Sequence, residues 1–183
     1  MICGMTYFQI CLYFLFYSFG GWVVEVIFHA VTLGKVINRG FLNGPVCPVY
    51  GFGVLSVFAL LNTLQSGGHQ MSEGMIFLFG TVLATAVELV AGWLLDVCFH
   101  ARWWDYSNKP LNFHGYICLY AAVGFGIAGV LWICVLEAPL TRLWKRLSPK
   151  VRLGLNTLLL LLFAADCAAA LIFPNRGAGI TFP

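Results

Sequence analysis

The chain has 183 residues, of which 61% are apolar and only 9% charged, with a formal net charge of +3. Soluble domains carry roughly 25% charged residues, so a water-facing surface cannot be built from this composition, and so small a net charge gives no footing for nucleic acid. The natural solvent is lipid, where a helix that is apolar all round is stable.

Five apolar stretches approach or exceed the roughly 20 residues that a spanning helix needs. The first runs from about Met5 to Leu33. No Lys or Arg precedes it and it holds Glu25, so it is read as a retained span and not as a cleaved signal peptide. The second, about Pro48 to Leu64, is the shortest, and Pro48 suits a first helical turn because its missing donor would be unpaired there anyway. The third runs from about Met75 to Phe99, the fourth from about Tyr116 to Leu136 and the fifth from about Leu153 to Phe173. The predicted fold is an all-α integral membrane protein forming one membrane domain, residues 1–183.

Basic residues in short loops stay on the cytoplasmic side. Arg142, Lys145, Arg146, Lys150 and Arg152 follow the fourth span in one dense group, whereas Lys35, Arg39, Arg102, Lys109 and Arg176 are spread over the opposite side. Weighting the dense group puts the N-terminus inside and the first and third connections outside.

An internal repeat runs through the chain. Gly21-Trp22-Val23-Val24-Glu25-Val26-Ile27-Phe28-His29-Ala30 reappears 71 residues on as Gly92-Trp93-Leu94-Leu95-Asp96-Val97-Cys98-Phe99-His100-Ala101. Gly44, Cys47 and Gly53 fall on Gly115, Cys118 and Gly124 at the same offset. An acid, a Phe-His-Ala and a Gly-x-x-Cys in one register are poorly explained by chance. The copies, about residues 5–65 and 76–137, each hold two spans, so they are expected to be parallel about an axis along the membrane normal, with the fifth helix, about 153–173, outside the repeat.

Steps of four along the first helix of each copy read Tyr17, Gly21, Glu25, His29 and Glu88, Gly92, Asp96, His100, which is one helical face. The expectation is that these faces pack together across the axis with their acids inward. An ionised acid at a helix centre costs on the order of 2.5–3.5 kcal/mol, so Glu25, Glu88 and Asp96 need compensation. A substrate, ion or proton chamber supplies one explanation. Bonds to Trp, Tyr or backbone that merely fix the packing supply the other. Asp166, on the fifth span, is a weaker candidate of the same kind.

The connections add Asn38-Arg39-Gly40-Phe41-Leu42-Asn43-Gly44-Pro45-Val46-Cys47 and Arg102-Trp103-Trp104-Asp105-Tyr106-Ser107-Asn108-Lys109-Pro110-Leu111-Asn112. The aromatics are ordinary interface anchors. Arg39 is expected to pair with Asp105 or Glu25. The candidate substrate-binding set is Glu25, Arg39, Asp96 and Asp105 in one polar cluster, with Tyr50, Glu88 and Asn112 at its margin. His29, His100, Cys47 and Cys118 are ligand types that a transition metal accepts, but His at a helix end and Cys within a span more often serve as interface and apolar residues. The seven Cys, mostly within spans, give no disulfide framework.

The run Gly21-Trp22 to Glu25, then Asn38-Arg39-Gly40-Phe41-Leu42-x-Gly44-Pro45-x-Cys47-Pro48-x-Tyr50-Gly51, then Trp104-Asp105-Tyr106-Ser107 and Asn112-x-x-Gly115-x-Ile117-Cys118-Leu119, closely resembles the small bacterial permease-like membrane proteins of the ABC-transporter type IV family, over roughly residues 15 to 140. The resemblance implies a multi-pass protein of a bacterial cytoplasmic membrane. It brings no substrate or catalytic residues with it. The chain has no Gly-x-x-x-x-Gly-Lys-Ser/Thr phosphate loop, so no nucleotide site is expected in it, and ATP hydrolysis would belong to a separate ATPase subunit. Beyond membrane lipids, the expected partners are such a subunit or further copies of the chain. Three classes stay open: a permease, a membrane-embedded enzyme acting on a lipid or lipid-linked group, and an accessory subunit of a membrane complex.

Overall fold

In the computed structural model, which describes residues 7–66 and 72–175, five helices carry the chain. They are α1 (Tyr7–Leu33), α2 (Pro48–Ser66), α3 (Glu73–Phe99), α4 (Leu119–Arg146) and α5 (Pro149–Ile172). Four are long and apolar enough to cross a membrane, and α2 is a shorter apolar helix. The expected start at Met5 and the basic residue Arg176 lie outside the described residues. A two-residue hairpin, β1 (Asn112–Phe113) with β2 (Ile117–Cys118), is antiparallel and sits in the α3–α4 connection.

The ends follow local chemistry. Gly34 closes α1 with φ 67° and donates its N–H to the Ala30 carbonyl at 3.0 Å, a left-handed cap that glycine adopts without strain. Ser72 Oγ accepts from Met75 N at 3.3 Å to start α3, and Ser148 Oγ accepts from Val151 N at 3.4 Å to start α5 ahead of Pro149.

The fourth helix departs from its expected end at Leu136 and continues ten residues to Arg146. The apolar run ends at Leu136, and Pro139 beyond it would itself strain a helix, because its ring clashes with the carbonyl four residues back and it lacks an N–H. The clash is absorbed by a π-helical turn over Trp132–Leu136, in which Glu137 N donates to the Trp132 carbonyl. What reads as a basic loop is therefore a helix end, a two-residue turn at Leu147 and Ser148, and the first turn of α5.

Outward faces carry exposed Val24, Ile27, Leu78, Val82, Leu131, Leu161, Leu162 and Leu171. A water-soluble protein does not expose this much contiguous apolar surface, and here it faces lipid. The close helix pairs are α1–α2, α2–α3 and α3–α4, while α5 packs more lightly on α1. Small residues set the α3–α4 approach. A methyl on Gly80 would lie 3.7 Å from Gly126 Cα, and one on Gly129 would lie 3.8 Å from Gly80 Cα. The interior cluster is Leu12, Tyr13, Tyr17, Phe58 and Trp144, with Trp132 and Ile133 against it.

The expected close packing of α1 on α3 through their glycine stripes is not what holds the bundle together, since α1–α3 is not among the close pairs of the described residues. Each glycine instead receives an aromatic ring from its own half: Gly21 takes Tyr50, and a methyl on Gly92 would meet Trp104 at 3.1 Å and Tyr116 at 3.3 Å. Trp104 and Tyr116 belong to a loop, whose path no periodicity reveals.

Both long connections cover the same end of the bundle. Arg39 Nη2 donates to the Trp103 carbonyl at 3.0 Å, and the Phe41 ring lies 5.3 Å from that of Trp103. Asn175, just beyond α5, joins them by donating to the Asn38 and Gly40 carbonyls and accepting from Trp103 Nε1 at 2.9 Å. Hence α1, α3 and α5 run toward this cap, and α2 and α4 run away from it.

Candidate functional site

Beneath the cap lies a chamber of about 80 Å³. Its walls include Glu25 from α1, Arg39 and Cys47 from the first connection, Tyr50 from α2, Glu88 from α3, Trp103, Trp104 and Tyr106 from the second connection, and Phe125 from α4. Glycine at position 21 lets the Tyr50 ring lie flat on α1, and from there its hydroxyl donates to Glu25 Oε1 at 2.6 Å. Arg39 Nε stands 4.0 Å from Glu25 Oε2, so of the two partners weighed for Arg39 the structure pairs it with Glu25 and not with Asp105. The nearer partner of Arg39 is the Trp103 carbonyl, and that bond joins the two connections.

Glu88 is only 4% exposed. Its Oε1 accepts from the Tyr106 hydroxyl at 2.9 Å, while its Oε2 faces inward with no hydrogen-bond partner among the described residues. In a bilayer interior an ionised oxygen left this way is costly, which marks Glu88 as the least compensated acid of the chamber.

The second half repeats this chemistry without sharing the chamber. Asp96 Oδ2 accepts from Tyr116 Oη at 2.7 Å and from Arg102 Nε at 3.0 Å, so Glu25 and Asp96 each have one tyrosine and one arginine from the residues that follow them. Arg102 also lies 3.7 Å from Asp105 Oδ1 and 4.7 Å above the Tyr116 ring. The Ser107 hydroxyl and backbone N–H, and then the Arg102 guanidinium, hold the Asp105 carboxyl below its ordinary range. Gly115, with φ 75°, closes this turn, where a methyl would fall 2.5 Å from Asp105 Oδ1.

The expected single cluster is therefore divided. Glu25, Arg39, Tyr50 and Glu88 line the chamber; Asp96 and Asp105 do not, and are gathered instead by Arg102. Asn112 belongs to the turn, where it donates to the Lys109 and Ser107 carbonyls and accepts from Gly115 N at 3.1 Å. Asp166 accepts from Asn43 N at 3.1 Å and Gly44 N at 2.8 Å, fastening the first connection to α5.

Among the described residues no group of three or more His, Cys, Asp or Glu converges on a point. His29 Nδ1 stands 2.8 Å from the Glu25 carbonyl oxygen, His100 caps α3 with φ 49°, and Cys118 is buried at the start of α4. Burial pushes the Cys47 thiol up to about 12, which keeps the protonated form, and its Sγ donates to the Arg39 carbonyl at 3.5 Å.

Two features escaped the sequence reading. Tyr106 is the partner of Glu88; the acids signalled a need for partners, but not which of the tyrosines would answer. The second is at the opposite end, where Glu137 Oε1 accepts from Thr141 Oγ1 at 2.7 Å and from the Tyr13 hydroxyl at 3.2 Å. Its signal was an acid four residues before a threonine on one helix face.

A second cavity, about 40 Å³, continues beyond the chamber between α2, α3 and α4. The two share Val49, Tyr50 and Phe125 as a wall, and the Tyr50 and Phe125 rings meet edge-on with centroids 6.0 Å apart. Tyr17 lines the far cavity, and its buried hydroxyl has no hydrogen-bond partner among the described residues.

No curated protein and no solved structure matches the chain. A family profile does match, over residues 12–171, which is most of the sequence and takes in both connections and all five helices. With its apolar helices and this profile, the chain is a membrane transporter-like protein and belongs to the family described as "Putative ABC-transporter type IV".

Proposed function

We propose that the chain is a permease that carries a small polar solute through the chamber between its two helix-pair repeats, with Glu25, Arg39, Tyr50 and Glu88 as the solute-facing groups. The observation that carries this reading is the stacking of the two cavities. A polar chamber with an uncompensated carboxylate oxygen adjoins an apolar cavity across one wall, in a bundle that otherwise exposes apolar side chains to lipid. Rotation of Tyr50 or Phe125 would join the two, so this aromatic pair is the gate. The repeat reading, residues about 5–65 and 76–137 related by an axis along the membrane normal, draws support from the shared pattern of acid, tyrosine and arginine. Asp96, Asp105 and Asn112 then support the second connection rather than touch solute. ATP hydrolysis is supplied by a separate subunit, and the protein sits in the bacterial cytoplasmic membrane with its basic α4–α5 turn inside.

The test is alternating access at Val49, which borders both cavities. A Val49→Cys variant in a background lacking the native cysteines is treated with a membrane-impermeant thiosulfonate in right-side-out and in inside-out vesicles. Modification from both sides is the expected result. Modification from neither side, or from one side alone under every condition, contradicts a route through this wall.

A further inference from the structure

The charged side chains lining the chamber are two acids, Glu25 and Glu88, and one base, Arg39. The Arg39 guanidinium is engaged by the Glu25 carboxylate and the Trp103 carbonyl. With both acids ionised, one negative charge is left over, and of the two acids Glu88 is the one with a buried oxygen, Oε2, that has no hydrogen-bond partner among the described residues. That favours a positively charged occupant. The walls favour the same sign, because Trp103, Trp104, Tyr106 and Phe125 present aromatic rings whose faces attract a cation.

Size and ligand type narrow the class. A space of about 80 Å³ suits a small solute. A divalent metal asks for several oxygen, nitrogen or sulfur ligands, and no such group gathers among the described residues. An anion would meet a guanidinium already held by a carboxylate. From the free carboxylate oxygen, the aromatic walls and the volume, we infer that the chamber binds a small organic monocation of the alkylammonium type. Its N–H group donates to Glu88 Oε2, and its carbons lie against Trp103 and Trp104. This rests on the reading of the chamber as a solute site and gives that solute a chemical class.

The test uses the purified full chain in detergent, following tryptophan fluorescence and the thermal midpoint during titration with methylammonium chloride. Sodium chloride and sodium methanesulfonate serve as controls at matched ionic strength. A saturable response to methylammonium alone is expected. Glu88→Gln should weaken it by at least about tenfold, as loss of a charge-assisted hydrogen bond implies. Glu73→Gln, at an exposed acid in the first turn of α3, should leave it unchanged. Should Glu88→Gln fail to fold, Leu95→Phe fills the same chamber without touching a charge and is expected to abolish the response. An equal response to sodium, a methanesulfonate response lost in Arg39→Gln, a response to pH alone, or unchanged affinity in Glu88→Gln would overturn the assignment. If methylammonium fails to bind while Val49→Cys is reached from both sides, the cation class falls and the transport route stands. Binding without two-sided access has the opposite meaning.

Discussion

Removing the Tyr106 hydroxyl by Tyr106→Phe takes away the hydrogen bond that Glu88 makes, 2.9 Å long, and leaves both oxygens of a 4%-exposed carboxylate without a partner. Such a loss costs about 1–3 kcal/mol, and more where the acceptor is charged. Replacing the acid in the same protein, Tyr106→Phe with Glu88→Leu, removes the group that needed compensation, and apolar replacement of both partners of a buried hydrogen bond is nearly neutral or stabilising. The double variant should therefore be at least as stable as the parent while losing solute binding, a combination that separates a functional acid from a structural one. Thermal unfolding in detergent reads the difference, since 1 kcal/mol moves the midpoint by about 2–4 °C in a chain of this length. The coupling between the two sites follows from the four-protein cycle. A Tyr106→Phe cost under about 0.5 kcal/mol, the scale of an unremarkable surface change, would refute the reasoning. So would a double variant no more stable than Tyr106→Phe alone, because Glu88 would then be holding the bundle together by other means.

Gly21→Ala should damage the protein more than Gly92→Ala, because the new methyl at 21 overlaps the Tyr50 ring and drives its hydroxyl off Glu25, whereas at 92 the nearest atom, on Trp104, is 3.1 Å away; thermal midpoints and solute binding of the two variants give the order. Asp105 contributes stability while ionised, since its folded value is lowered. The second connection should therefore lose protection as pH falls below the ordinary Asp value of 3.8, and Asp105→Asn should remove that dependence when hydrogen exchange of residues 102–115 is followed against pH. Cysteines placed at the exposed positions Asn108 and Lys145 should react with an impermeant thiol reagent from outside and from the cytoplasm respectively; the reverse pattern inverts the orientation and leaves the chamber intact.

The helices were legible because a run of about 20 apolar residues has few alternatives, and Pro48 carries a start signal that needs no tertiary context. The end of α4 was not, because the apolar run stops at Leu136 while the helix continues through the polar segment Glu137–Arg146. Glu25, Glu88 and Asp96 stood out as acids in lipid, and the Arg39–Glu25 pair was one of two that sequence alone could weigh. Tyr50 was placed beside the acids, but Tyr106 and Tyr116 were hidden. Tyr50, Tyr106 and Tyr116 reach the acids across folded connections, at sequence separations of 25, 18 and 20 residues, and helical spacing does not encode such distances. For the same reason Asp105 was assigned to the axis, when Ser107 and Arg102 hold it locally. The glycine stripes were expected to bring α1 and α3 together, and those helices are not a close pair. What approaches is an aromatic ring in each case, which depends on connections the stripe does not describe.

The most direct test of the central claim is a density map of the protein in a lipid nanodisc, prepared with methylammonium present and inspected between Glu25, Arg39, Glu88 and Tyr106. The account predicts a separate feature within hydrogen-bonding distance of Glu88 Oε2 and against the Trp103 and Trp104 rings, lost when Glu88 is replaced by Gln. A chamber closed by its own side chains, with Glu88 bonded to Arg39 or to backbone and no feature in either preparation, would contradict it.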